Sequence, residues 1–164
     1  MTFKRLCALW LASAALSGFA QTPAEPAEGV EDAVPPPARY STDKLIPIEM
    51  PRYVTLTVGI DPDSVSVAAD GVVRYVVVMR NATGSLNIAY EGISCVRGEV
   101  RTYARINSTG NWVSLMPAQW RALTANHPSK HALAIAQQGA CDEPVGPKRE
   151  NILNALKRRE RSHL

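Results

Sequence analysis

Through the middle of the chain, apolar and polar residues alternate with the period of two that a pleated strand imposes. Residues 54–60 interleave Thr with Val, Leu and Ile, which is strand chemistry. Asp61-Pro62-Asp63-Ser64 reads as a turn, residues 65–68 as a short strand, and Ala69-Asp70-Gly71 as a second turn. Residues 72–80 carry the clearest pattern. Val73, Tyr75, Val77 and Met79 make one apolar face, while Val72, Val76 and Val78 dominate the other beside Arg74 and Arg80. A strand apolar on both faces is expected at the centre of its sheet. A loop at 81–85 leads to a strand at 86–95. A turn at 96–98 leads to a strand at 99–106, whose ionic face holds Glu99, Arg101, Tyr103 and Arg105. Residues 111–115 add a short strand after another turn.

Beyond residue 115 the period lengthens. Residues 117–123 predict one or two helical turns opening on Pro117, where proline is tolerated. Residues 129–140 predict a helix with Ser129 as its N-cap. Consecutive strands followed by helices predict an α+β fold: an antiparallel meander of about five to six strands, with one or two helices packed on one face.

The flanks differ in kind. Lys4 and Arg5, a short apolar run and small residues at Ser17, Gly18 and Ala20 read as a secretory signal peptide, 1–20, cut before Gln21. Residues 21–52 hold seven of the 12 prolines and read as an acidic extended linker. The core domain is then 53–145. Residues 146–164 form a basic tail in which Ile152, Leu153 and Leu156 sit at helical spacing. The short stripe favours a surface helix resting on the domain over a docking helix for a partner or anionic lipid.

Composition narrows the field further. The 164 residues are 46% hydrophobic and 20% charged, which excludes whole-chain disorder, a collagen-like chain and a polytopic membrane protein. The formal charge of +3 is too small to imply a nucleic-acid partner. Without the signal, Cys95 and Cys141 are the two cysteines that remain. An even count in an exported chain predicts a disulfide between them. A metal site or redox pair is the weaker alternative, since no CxxC motif is present.

Two blocks then carry a resemblance. They are Asp61-Pro62-Asp63-Ser64-Val65-Ser66-Val67 with Asp70-Gly71-Val72-Val73-Arg74-Tyr75, and Asn87-Ile88-Ala89-Tyr90-Glu91-Gly92-Ile93-Ser94-Cys95. Tyr103-Ala104, Trp112, Trp120, His131 and Cys141 follow in compatible order. The chain resembles, over roughly residues 45–157, the family named after the cryptic neisserial protein, a group of exported proteobacterial proteins. The resemblance implies a periplasmic or envelope-associated protein. It supplies no catalytic residues.

The candidate chemistry is sparse. Glu91 stands mid-strand on the face that also carries Cys95, with Arg74 on the neighbouring strand, Arg101 on the other side and His131 on the covering helix. A cross-strand charge ladder is the plainer reading. The functional one makes Arg74, Glu91, Arg101 and His131 a ligand-binding or hydrolytic cluster. His127 and His131 are four apart, but Pro128 disfavours a shared helical face, so no metal site is expected. There is no phosphate-cradling glycine loop, Gly-x-Ser-x-Gly elbow or HExxH motif, and no cofactor is expected. The sequence therefore favours a non-enzymatic envelope binding module. Its partner would be an envelope protein or a ligand, with at most weak membrane-surface contact through the basic tail.

Overall fold

The strand Val73–Arg80 (β4) is buried along all but its last residue, and the rest of the molecule is arranged around it. In the computed structural model, residues 34–126 and 130–161 are described. Residues 1–33, which include the segment read as a signal peptide and the first part of the acidic stretch, lie outside the described residues, as do His127, Pro128, Ser129 and the last three residues.

β1 (Ile46–Ile48), β2 (Thr57–Ile60), β4, β5 (Leu86–Ser94), β6 (Glu99–Ile106) and β7 (Trp112–Ser114) follow one another across an antiparallel sheet. Two shorter strands complete it. β3 (Ser66–Val67) pairs with the start of β4, and β8 (Arg121–Ala122) pairs with the start of β6. Thus β2 and β3 share the outer flank of β4. Between them, a 3-10 turn at Pro62–Ser64 is capped by Asp61, whose carboxylate accepts from Asp63 N and Ser41 N. The hairpins at 81–85 and 107–111 are closed alike. Asn81 Oδ1 accepts from Thr83 N and Ser85 N, and Asn107 Oδ1 accepts from Thr109 N and Asn111 N.

The two faces of β4 separate two cores, as its alternation predicts. Val73, Tyr75, Val77 and Met79 join Ala89, Ile93 and the helices in the larger one. That layer comprises α1 (His131–Ile135), a wider turn at Ala136–Ala140 and α2 (Arg149–Arg161). Val76 and Val78 join Ile88, Tyr90, Tyr103 and Ala104 in the smaller core, against which Val34, Tyr40 and Leu45 pack. Tyr40 meets Trp112 edge-on at 5.4 Å between ring centroids. The architecture is α+β, with the helices on one face and a Cys95–Cys141 disulfide tying the end of β5 to the end of the wide turn.

Three features differ from the sequence reading. First, β1 lies inside the stretch read as linker, and Ile46 and Ile48 are buried against β2 and the helices. Second, α2 rests on the domain through its apolar stripe as expected, but it closes the larger core through Ile152, Ala155 and Leu156 rather than lying on the surface. The Arg149 guanidinium anchors its start by donating to the carbonyls of Val65 and Pro62. Third, residues 117–123 do not form helical turns. Residues 121–122 pair with Val100 and Glu99, and Leu123 N donates to Gly98 O. The outer edge of β6 is open beyond β7. Its backbone groups offer this segment more than a seven-residue helix could supply.

Candidate functional site

The hairpin register decides which side chains meet. Tyr75 lies opposite Glu91, and Arg74 lies opposite Gly92. Glu91 therefore points to the helix layer, whereas Arg74 points to the opposite face. On the other side Glu91 faces Thr102 and Gly92 faces Arg101, so Arg101 joins Arg74 away from Glu91. A bulge follows, where β5 advances from Tyr90 to Glu91 while β6 moves from Ala104 to Thr102. The extra residue, Tyr103, resets the alternation of β6. Arg105, opposite Ala89, consequently lies on the Glu91 face. Of the four residues singled out from the sequence, the fold brings Glu91 and His131 together and places Arg74 and Arg101 on the other face.

Glu91 is 2% exposed. Its Oε2 lies 2.7 Å from His131 Nε2 and 3.4 Å from the Tyr75 hydroxyl, and its Oε1 accepts from Thr102 Oγ1 at 3.1 Å. Burial alone would push the carboxyl up. The facing His131 charge and hydrogen bond, the Thr102 hydroxyl and the Arg105 charge outweigh it, and they hold Glu91 below the ordinary carboxyl value. Burial alone would likewise lower His131. The Glu91 charge and hydrogen bond overcome it, against opposition from Arg105, and raise the imidazole above its ordinary value. Both shifts favour the charged pair, a carboxylate facing an imidazolium. Burial and the adjacent Glu91 charge push the Tyr75 phenol well up, so it stays neutral.

His131, the first residue of α1, stands in the wall of a cleft of about 340 Å³ between β6, the segment 115–121 and α1. Glu91 and Thr102 lie at its floor. Leu115, Pro117 and Leu133 give it an apolar wall, and Arg105, Arg121 and Lys130 give it cations. A second hollow of about 380 Å³, bordered by Leu56, Met79 and Leu86, also reaches Arg105 and His131. Chemically, Glu91 orients the imidazole and favours its charged form, which donates rather than accepts a proton. Among the described residues no serine or cysteine lines the cleft, and the Thr102 hydroxyl is engaged with Glu91. Among the described residues, no group of three His, Cys, Asp or Glu side chains is placed to hold a metal ion.

Arg74 and Arg101 belong to a different construction. Arg74 is 4% exposed and makes a forked pair with Asp70, its Nη2 lying 2.6 Å from Oδ2. Burial works against ionised Asp70, but Arg74 and the Val72 amide keep its carboxyl below the ordinary value. The guanidinium carbons of Arg74 and Arg101 each lie 5.6 Å from the Tyr103 ring centroid. Trp120 extends the row, with Arg97 4.3 Å above its ring. Gly92 makes room for it: a Cβ there would meet Tyr103 Cε2 and OH at 2.9 Å and Val72 Cγ1 at 2.8 Å. The cross-strand charge ladder expected around Glu91 is here a ladder of cations and aromatic rings on the reverse face.

Sequence reasoning missed Arg105 as a site residue, because strict alternation put it on the face of Arg101. It missed Thr102 and Tyr75 because neither residue type signals a buried carboxylate. The β6 bulge is what re-aims Arg105, and no turn residue announces it.

A search of curated proteins finds no match, and a search of solved structures finds none either. A family model does match, over residues 24–157, which includes both sheet faces, the cleft, the disulfide and most of α2. The chain belongs to the CNP1-like family.

Proposed function

We propose that this protein is an exported binding module of the bacterial cell envelope that receives a small ligand in the cleft above Glu91 and His131. The observation that carries the reading is the cleft itself. Its volume of about 340 Å³ falls within the range of small-molecule sites, and an apolar wall faces convergent polar groups above a buried ion pair. Binding without covalent chemistry suits a lining whose described residues include no serine or cysteine. The disulfide supports an oxidising compartment, where such bonds persist.

Native mass spectrometry of protein extracted gently from the envelope of its host tests this reading. The expected result is a chain beginning near Gln21 that carries a small molecule released on denaturation. Gln119→Trp, which fills the cleft from an exposed position on its wall, should lose the bound mass and keep the fold. A full-length chain with free thiols would refute export. Ligand retained by the variant would refute the site.

A further inference from the structure

The charges around the cleft do not balance. Among the described residues Glu91 is the one carboxylate in its lining, and His131, Thr102 and Tyr75 already engage it. Arg105 and Arg121 are exposed on the same lining, and neither side chain makes a hydrogen bond or ion pair among the described residues. Lys130 donates to Ala125 O and Asn126 Oδ1, which are neutral acceptors. The cleft is therefore cationic, with two guanidinium groups available beside a floor whose carboxylate is neutralised. Leu115, Pro117 and Leu133 add apolar surface.

From this arrangement we infer that the cleft selects a small organic carboxylate with an apolar body, its carboxylate held by Arg105 and Arg121 and its body against Leu115, Pro117 and Leu133. A guanidinium presents a planar fork that matches a carboxylate with two parallel hydrogen bonds. A cationic ligand would meet three like charges, and Glu91 has no unengaged oxygen to attract it. A fully polar anion would leave the apolar wall unused. The bulge at Tyr103 belongs to the same device, since without it Arg105 would face the reverse side of the sheet.

The inference rests on the cleft being a ligand site, and the test separates the two claims. Isotope-labelled protein, processed by its host, is titrated with benzoate and hexanoate, with their neutral counterparts benzyl alcohol and 1-hexanol, and with inorganic phosphate. Amide shifts are followed by NMR. The carboxylates are expected to move signals of residues 115–121 and 131–133 with at least about tenfold tighter binding than the alcohols or phosphate. Arg105→Gln should bring carboxylate binding down to within about twofold of alcohol binding to the same variant. Equal binding of acids and alcohols would overturn the carboxylate assignment and leave the cleft as a site. Phosphate binding as tightly as benzoate would overturn the role of the apolar wall. An unaltered preference in Arg105→Gln would overturn the anchor. Silence of these signals to every probe at millimolar concentration would overturn the cleft itself.

Discussion

Glu91 remains ionised at 2% exposure only because three donors meet it, and its partner's charge is the largest favourable influence among them. The two titrations set a pH window. A lowered carboxyl contributes stability above its ordinary value of about 4.3, and that contribution is lost as pH falls through the folded value. A raised imidazole contributes below about 6.5, and its share is lost as pH rises through the folded value. The pair therefore stabilises most between about pH 4.3 and 6.5. Urea midpoints measured from pH 3 to 9 should fall toward both ends, and His131→Gln should flatten the alkaline limb. At pH 6, His131→Ala should cost about 3–5 kcal/mol, because it strands a buried carboxylate. Glu91→Gln should cost less, about 1.5–3 kcal/mol, since the imidazole can become neutral. The reverse order would show that His131 is not what keeps Glu91 charged. The meeting of Glu91 and His131 was legible from residue types and strand period. The place of Arg74 was not. β4 is apolar on both faces, so its pattern is indifferent to a one-residue shift against β5, and the Asn81 hairpin decides the parity.

At the scale of elements, strands announced themselves and irregular backbone did not. Each long strand has the alternation and turn signals that define it, and β4 took the central place its two apolar faces require. The bulge in β6 and the strand pairing of residues 121–122 arise from long-range contacts, which local propensity does not encode. The wide turn after α1 is another such case. Gly139 has φ +136°, and a Cβ there would lie 2.5 Å from Ala155 Cβ and 3.1 Å from the Ala155 carbonyl carbon. Backbone strain and collision with α2 act together, so Gly139→Ala should cost roughly 3 kcal/mol or more in chemical denaturation. A loss under 1 kcal/mol, by the same measurement, would mean that α2 can draw away from the turn at little cost.

For the whole molecule, the disulfide joins the sheet to the helix layer across 46 residues of sequence. Chain entropy assigns such a closure up to about 4 kcal/mol, and unfolding with and without reductant measures it directly. A difference under about 1 kcal/mol would show that the α2 packing holds the helix layer without it. The organisation into a sheet with one helical face was legible because the apolar pattern and the cysteine parity agree. The extent of the folded unit was less so, because the prolines around β1 mask a strand stabilised by remote partners. Gln138 is one of these. Its amide accepts from Glu49 N at 2.8 Å and donates to Pro47 O at 2.8 Å and Leu156 O at 3.2 Å. β1 is the last strand on its side of the sheet, and such margins invite a neighbouring chain to add a strand of its own. By occupying the carbonyl of Pro47 within β1 and the amide of Glu49 just beyond it, this one side chain serves as a stopper: it closes the sheet margin to strand addition and so to chain-to-chain polymerisation.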